Sequence, residues 1–552
     1  MLLRTFVTGL IFSAGAFAQM ASFPKPSYFR EVFKQSNTKV ELRDPVRLKD
    51  FVVGGKLELS LKNFIELVMA NNTDIQVAFL SLEIPRNNIT SAFGKWDPTA
   101  TGSFSATRNT SIPTDPTQAR NAGQISKSLN QPLSLSYGQT LDTGLSYSVT
   151  FNGSKSSSSN SLSNYNPGLS SNLQFSVTQP LLQNRGRYVN RIPVMQAESS
   201  YKRSVFSLRV SLLNLVSNAE NAYWNVISAR ENLGVQIKSR DAAKANLDFV
   251  QQQLDLGAIA ELDIYNPQGQ LAAAEFSVSQ AKFRLASAED ALRRQISADL
   301  DPDIAKLPVE LTEPVDLAAG EPIPLDTGQS VQKALAANPT ILSATQQLDL
   351  DELGIQSAKN LLLPQLSFTA TYTAKGQGGV FYPSSTTLFG SGGGGAVGPI
   401  PGGITDALGQ MFGFGYPTYL GRLTLTLPIK SRTASMTLAS SLVTKKSDAL
   451  TLRTTQQNIR LQTLTAVTNL QGYVEQLKLA RVQRDIQQKN YEAEQEKYTL
   501  GTDTNQNVVI ALQNLVLAES NVVSAQVSVR TGILAVYQST GELLDNYGIV
   551  VK

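Results

Sequence analysis

The residue types that usually carry enzymatic chemistry are scarce in this chain of 552 residues. It contains no Cys and no His, which excludes disulfides, metal sites built on Cys or His, Cys–His nucleophiles and His general bases. Gly390, Gly392 and Gly395 fit the spacing of a phosphate-binding GxGxxG loop, but the stretch neither follows a clear strand nor opens a helix. An enzyme built on carboxylates alone is the remaining catalytic alternative, and no nucleophile–base pair supports it. We therefore predict a protein that is not an enzyme, without cofactor or metal.

Composition and the N-terminus indicate an exported, folded chain. Apolar residues make up 41% of the sequence and charged residues 17%, which excludes general disorder, and the length favours two large units. The net charge of +4 is small, and no nucleic-acid partner is expected. Residues 1–18 have the pattern of a cleaved signal peptide. No later apolar run predicts a membrane-spanning helix, so any membrane span must be a β-barrel.

The chain repeats itself over nearly its whole length. A helix–Gly–helix element occurs twice, and Gly257 matches Gly501 at an offset of 244 residues. Each half reads helix, Pro, strand, loop, strand, Pro, very long helix, Gly turn and long helix. The predicted organisation is a signal peptide at 1–18, an N-terminal extension at 19–57, a first repeat at 58–300, a linker at 301–325, a second repeat at 326–542 and a C-terminal tail at 543–552.

Very long helices precede the two Gly turns. The runs from Val194 to Leu256 and from Ile429 to Leu500 contain no Pro and one Gly each, so each could span about 100 Å. The helices after the turns carry apolar residues alternately three and four positions apart, with many small ones, as in a coiled-coil seam. The predicted seam comprises Ala274, Ala281, Leu515, Ala518, Val522 and Ala525.

The segments between the helices alternate apolar and polar residues with a period of two. Residues 366–373 set Leu, Phe, Ala and Tyr against Ser and Thr, and residues 173–179 and 422–429 show the same alternation. In an exported chain this pattern favours a barrel with lipid outside and water inside. Two strands per half are too few, because the smallest outer-membrane barrels have about eight strands. Several chains must therefore close the barrel together.

In order, spacing and duplication, these elements resemble the outer-membrane efflux protein family, the TolC-like channel tunnels. The resemblance runs from about Leu59 to Leu544 and rests on PQLSFTATY (364–372), VTQPLL (177–182), the Gly turns and the Ala-rich helices. It implies an α+β fold with two tandem repeats per chain. Three chains with four strands each would form a transmembrane β-barrel, continuous with a long antiparallel α-helical coiled-coil tunnel.

The same resemblance implies a function and partners. Members of the family are passive exit ducts of tripartite efflux or type I secretion systems. A homotrimer in outer-membrane lipid docks on a periplasmic adaptor (a membrane fusion protein), which links it to an inner-membrane transporter. The tunnel then lies in the periplasm, and the cargo can be a drug, a metal, a small metabolite or a polypeptide.

The resemblance also implies a gate at the periplasmic end, where Gly257 and Gly501 would form the tip turns. In relatives a Tyr before the second tip contacts an Asp after the first tip, and these residues match Tyr498 and Asp263. An Arg of that latch matches Asp503, so its salt bridge is absent. Helix capping is the alternative role for Asp263. The acidic residues that ring the pore in relatives are absent here, because their positions match Asn507 and Ile510.

Two further expectations remain open on sequence alone. Residues 132–152 predict an extra hairpin with Asp142-Thr143-Gly144 as its turn, which either adds barrel strands or extends outside the cell. The alternative function is an exported coiled-coil adhesin or structural spacer without a pore. A spacer needs no lipid-facing sheet, so the strand pattern distinguishes the two functions.

Overall fold

The computed structural model describes residues 48–53, 55–112, 125–159, 164–257, 259–298, 306–316, 323–382 and 399–550. The predicted signal peptide, most of the N-terminal extension and the GxGxxG stretch lie outside these ranges. Every element described below belongs to the unit Pro45–Lys552.

Helices account for most of the described residues. In chain order they are α1 (Leu61–Asn71), α2 (Thr73–Leu80), α3 (Glu83–Phe93), α4 (Arg187–Asp255), α5 (Tyr265–Gln295), α6 (Thr327–Ala337), α7 (Pro339–Leu361), α8 (Ile404–Phe412), α9 (Arg432–Thr499), α10 (Asn505–Thr540) and α11 (Leu543–Asn546). Helices α4 and α9 have 69 and 68 residues, so each is about 100 Å long, as the Pro-free runs predict.

The strands form two separate sheets. In chain order they are β1 (Val52–Val53), β2 (Lys56–Leu59), β3 (Thr99–Phe104), β4 (Thr107–Ser111), β5 (Ser126–Thr140), β6 (Ser146–Ser158), β7 (Tyr165–Pro180), β8 (Val309–Leu311), β9 (Gln365–Phe381) and β10 (Pro417–Thr426). The small sheet has the order β1-β2-β8. The large sheet has the order β10-β9-β7-β6-β5-β3, and β4 also pairs with β5.

The long helices pack side by side in a single row. Helix α5 packs on α4, and α10 packs between α4 and α9. Nearer the large sheet, α3 takes the place of α5 beside α4, and α7 takes the place of α10 between α4 and α9. Helix α9 therefore lies at one edge of the row, and α3 with α5 lies at the other.

Small and β-branched residues make the close packing of α10 possible. Leu515, Ala518, Val522 and Ala525 are buried, whereas in α5 Ala281 is buried and Ala274 is half-buried. Contrary to the sequence expectation, helix α10 is long and apolar enough, by length and composition alone, to cross a membrane. Part of its apolar surface is buried by packing, since Val522, Ala525 and Val529 lie in a core cluster with residues of α9, whereas Ile510 and Leu517 are exposed.

The predicted extra hairpin is part of the large sheet. Strands β5 and β6 lie between β3 and β7, and every neighbouring pair in this sheet is antiparallel. The hairpin therefore adds two strands to the large sheet of the chain. The edge strand is interrupted between β3 and β4, where Ser105 donates to the Pro132 carbonyl at 3.1 Å. Pro132 has no N–H to return a bond, which accounts for the break.

The predicted linker is not a free connector. Its residues Val309–Leu311 form β8, which pairs in parallel with Leu57–Leu59 of β2. Val309 and Leu311 are buried in the main core, because a short apolar strand beside β2 removes both from water. The predicted C-terminal tail is also ordered, since Leu543 and Leu544 are buried in the same core.

The main core surrounds a buried carboxyl group on α4. Glu220 accepts hydrogen bonds from the Trp224 indole at 3.3 Å and from the Tyr547 hydroxyl at 2.8 Å. The guanidinium carbon of Arg530 lies 5.1 Å from the Trp224 ring centre. Burial raises the pKa of Glu220, and the hydrogen bonds from Tyr547 and Trp224 and the charge of Arg530 oppose the rise only in part.

Replacing Glu220 by Gln should make the free energy of unfolding less dependent on pH. The raised pKa means that the folded state binds the Glu220 proton more tightly than the unfolded state. The contribution of Glu220 to wild-type stability is therefore fully present below the ordinary Glu pKa of about 4.3. It is lost as pH rises through the pKa of the folded state. Gln keeps the side-chain size and cannot ionise. Melting temperatures of the purified protein from about pH 4 to about pH 8 measure the difference.

Glu352→Gln provides a control of opposite sign. The hydrogen bond from Lys445 lowers the pKa of Glu352, so this residue's contribution to stability is lost as pH falls. If Glu220→Gln followed the wild-type pH profile, the buried carboxyl group would not be the source of the pH dependence.

Candidate functional site

The two Gly turns have the same backbone conformation. Gly257 and Gly501 both have a φ of 74°, a left-handed conformation that costs an L-residue about 1–2 kcal/mol. After α9, the N–H of Gly501 bonds to the carbonyl of Tyr498 at 3.0 Å, and that of Thr502 bonds to Lys497 at 3.0 Å. These two bonds form a Schellman cap, which satisfies the last carbonyls and ends the helix.

Tyr498 joins the two turns within one chain. Its hydroxyl donates a 2.9 Å hydrogen bond to Gln253 near the end of α4. Its ring meets Phe249 edge-on, with 5.7 Å between ring centres. Burial, and then the negative charge of Asp263, raises the pKa of Tyr498. The tyrosine is thus held against the first helical hairpin by one polar and one aromatic contact.

Asp263 lies close enough to influence Tyr498 by its charge, but the Tyr498 hydroxyl bonds to Gln253 instead. The Asp263 carboxylate accepts a 3.3 Å hydrogen bond from the Ala260 N–H, and its own N–H bonds to the Ala260 carbonyl at 3.0 Å. Asp263 therefore closes the short 3-10 turn Glu261–Ile264 that leads into α5. Its side chain remains exposed, so this turn-closing role leaves the charge open to solvent.

Asp503 has several hydrogen-bonding partners, although none is evident in the sequence. Its carboxylate accepts bonds from the Thr504 N–H at 2.6 Å and from the Asn507 amide at 2.6 Å. Hydrogen bonding to the Glu494 carboxyl, followed by these two bonds, lowers the pKa of Asp503. Lys497 pairs with Glu494 at 2.7 Å. Asp503 therefore carries a negative charge at neutral pH within a local network of charges.

A second polar contact links the turns, and sequence reasoning missed it. The Asn266 amide donates to Gln506, which connects the start of α5 with the start of α10. Neither this pair nor Gln253 has a signal in the sequence, because the repeat places no corresponding residues at the matched positions. Within the described ranges, no group of three or more carboxylates lies close enough to hold a metal ion.

The arrangement therefore holds the two helical hairpins together at their turns through two polar contacts. Tyr498 and Asn266 each tie one helical hairpin to the other. The bonds between uncharged partners are individually weak, about 0.5–1.5 kcal/mol, so small forces can open them. Asp263 and Asp503 add two carboxylates per chain beside the turns.

A protein-family comparison assigns both repeats to one family. The family model described as "Outer membrane efflux protein" matches residues 144–297 and 330–542. The outer membrane protein TolC of Escherichia coli (strain K12) is 28% identical over 157 residues. That alignment covers 28% of this chain and 30% of TolC, so it spans about a third of the length of this curated relative.

Solved structures match over nearly the whole fold. The Campylobacter jejuni CmeC outer membrane channel aligns with a TM-score of 0.62 at 18% identity, covering 92% of this chain and 91% of CmeC. The outer membrane protein VceC from Vibrio cholerae aligns with a TM-score of 0.60 at 12% identity, covering 87% of this chain and 96% of VceC. At these identities the likeness concerns the fold.

Replacing Gly501 by Ala should lower the unfolding midpoint by the equivalent of about 1–2 kcal/mol. No heavy atom lies within 4 Å of the added methyl group, so the cost is conformational and not steric. Gly472→Ala is the matched control, because Gly472 lies within helix α9 and also has open space around it. That change should raise stability by about 0.5–1 kcal/mol.

Denaturant unfolding of the detergent-purified protein measures both variants. Equal shifts in the same direction for Gly501→Ala and Gly472→Ala would show that the positive φ does not matter to the turn.

Proposed function

Because the chain belongs to the outer membrane efflux protein family, we propose that three copies form a passive exit duct. The protein is an outer-membrane channel protein with a periplasmic helical tunnel. The duct would dock a periplasmic adaptor and, through it, an inner-membrane transporter of an efflux or type I secretion system. The observation that carries this proposal is that the large sheet and the helix row both have unpaired edges. These edges lie on the same two sides of the chain.

The edges of the large sheet lack partners within the described chain. Every residue of β10 is exposed, and so is every residue of β3 and β4. In hydrocarbon each unsatisfied backbone group costs several kcal/mol, so an open edge is not viable. Strand β10 runs toward the helices and β3 runs away from them, so β10 of one copy can pair antiparallel with β3 of the next.

The row of helices also has exposed apolar residues at its two edges, on the same two sides as the sheet edges. Helix α9 exposes Met436, Val443 and Leu450, which are spaced seven residues apart. At the other edge α5 exposes Phe276 and Phe283, again seven residues apart. Seven-residue apolar stripes are the pattern that coiled-coil packing buries. Neighbouring copies would cover both stripes and close the sheet by the same rotation.

The two faces of the sheet suit a water-filled pore in lipid. Leu173, Phe175 and Val177 of β7 lie on one face, and Ser176 and Thr178 lie on the other. Such alternation matches lipid-facing and lumen-facing residues of outer-membrane barrels. This pattern opposes the alternative of a coiled-coil adhesin or spacer, which needs no apolar outer face.

The tip turns are the expected gate and adaptor contact. Tyr498, Asp263 and Asp503 lie beside the turns at the end of the helices that is remote from the sheet. Three copies would bring six carboxylates, those of Asp263 and Asp503, around the mouth of the tunnel, which would favour cations. The Tyr498–Gln253 bond would help to hold the tip closed.

Cysteine pairs at the two sheet edges should link the copies into a covalent trimer. Ala100→Cys in β3 is combined in turn with Tyr419→Cys, Gly421→Cys or Leu423→Cys in β10, all on the apolar face. The natural chain has no Cys, so no other thiol can form a cross-link. At the correct register, oxidation in membranes should give trimers on a non-reducing denaturing gel.

Ala100→Cys with Ala370→Cys is the matched control. Ala370 lies opposite Gly421 at the same level of the sheet, but β9 is already paired on both sides. It should not link to Ala100→Cys. Absence of every β3–β10 link in protein shown to be in the outer membrane would refute closure between copies.

Tyr498→Phe should raise the open probability of single channels in planar bilayers. It removes the bond to Gln253 but keeps the ring on Phe249, and about 1 kcal/mol corresponds to about fivefold in the opening equilibrium per chain. Asp263→Asn should lower cation preference, because it removes one charge per chain from the mouth. Tyr491→Phe, seven residues earlier on α9, should leave both properties unchanged. Wild-type gating in Tyr498→Phe would place the gate elsewhere.

A further inference from the structure

We infer that the closed barrel has eighteen strands, six from each of three chains, rather than the twelve implied by four strands per chain. The inference rests on the proposed trimeric duct and concerns the width of its pore. It depends on whether the β5–β6 hairpin is a full member of the barrel wall. Three independent features of the hairpin decide this.

The first feature is continuous backbone pairing on both sides of the hairpin. Strand β5 pairs with β6 from Ser128 opposite Ser158 to Thr140 opposite Ser146. Strand β6 pairs with β7 from Ser146 to Ser156, and β5 pairs with β3 and β4 on its other side. A hairpin that projected from the barrel would leave at least one of these ladders unpaired. Six strands also form an even number, so the ring stays antiparallel at every copy-to-copy junction.

The second feature is that the hairpin continues the polar face and the apolar face of the neighbouring strands. On the polar face, Ser134 bonds to Asn152 at 2.7 Å, and Asn152 bonds to Asn172 of β7 at 3.1 Å. On the other face, the rings of Tyr137 and Tyr147 lie 6.4 Å apart. The hairpin thus continues the polar lining and the apolar exterior across β5 and β6, as membrane-spanning strands must.

The third feature is the fit of the hairpin turn to the start of α4. The Gly186 N–H donates to the Thr143 carbonyl at 3.2 Å, and Arg187 pairs with Asp142 at 3.3 Å. Gly144 has a φ of 89°, and a side chain there would lie 2.5 Å from the Asn184 carbonyl oxygen. The turn is therefore fitted against the junction where β7 passes into α4, which holds the hairpin at the depth of the barrel wall.

The consequence is a wider barrel. With strands about 4.8 Å apart and tilted by about 40°, eighteen strands give a circumference of about 113 Å and a backbone diameter of about 36 Å. Twelve strands would give about 75 Å and about 24 Å. The circumference increases 1.5-fold, so the outer-membrane section would admit bulkier solutes than a twelve-strand barrel.

Single cysteines test whether the hairpin lies in the wall. Ser148→Cys and Thr150→Cys lie on the polar face of β6, and Tyr147→Cys and Val149→Cys lie on the apolar face. In membranes, a water-soluble maleimide should label the first two and leave the second two unlabelled. Full labelling of all four would show that the hairpin projects into water and would overturn the inference, while the β3–β10 cross-links would still report on the duct itself.

Electron cryomicroscopy of the full-length mature protein in nanodiscs supplies the strand count. We expect a closed ring of eighteen strands. A closed trimer with twelve strands would overturn the inference and leave the proposed duct intact. Particles without a closed ring would overturn the proposed function, and the inference with it.

Discussion

The architecture depends on one constraint, the need of every strand backbone in the membrane to find a hydrogen-bonding partner. Within the described part of the chain, the large sheet pairs its four inner strands on both sides and leaves one side of β3–β4 and one side of β10 without a partner strand. Water could satisfy these edges, but lipid cannot. The same two sides of the chain carry the unburied apolar stripes of α5 and α9. In the proposed trimer, closure of the sheet and closure of the tunnel would therefore be one event, and a single chain would supply a third of the closed structure.

Sequence patterns predicted the main architecture because its elements are long and periodic. Residues 366–373 and 173–179 lie within β9 and β7, and the two Pro-free runs became α4 and α9. The family and the α+β fold with two repeats are confirmed. The hairpin at 132–152 was predicted, but its place in the sheet was not, because period-two alternation is the same for a strand in the wall and one outside it. Strand β8 was missed because it has three residues and depends on its partner β2.

The tip illustrates why a candidate site is harder to predict than a fold. The positive φ of Gly257 and Gly501 follows from local helix-capping rules, which a sequence displays. The contacts of Tyr498 with Gln253 and Phe249 join helices that lie far apart in the chain. No local rule specifies such a pair, so only the packing of α4 beside the second hairpin reveals it. The gate roles of Asp263 and Asp503 remain predictions.

The pairing of β7 with β9 also constrains the order in which the chain folds. Pro180 lies opposite Ser367, although 187 residues separate them in sequence. Helix α4, the Gly257 turn and α5 lie between these strands, so the chain must travel along the tunnel and back before the ladder can form. Contacts of high sequence separation form slowly because loop closure must precede them, whereas helical hairpins form from nearer neighbours. The α4–α5 and α9–α10 hairpins should therefore form while the sheet is still open, and the β7–β9 ladder should form after them.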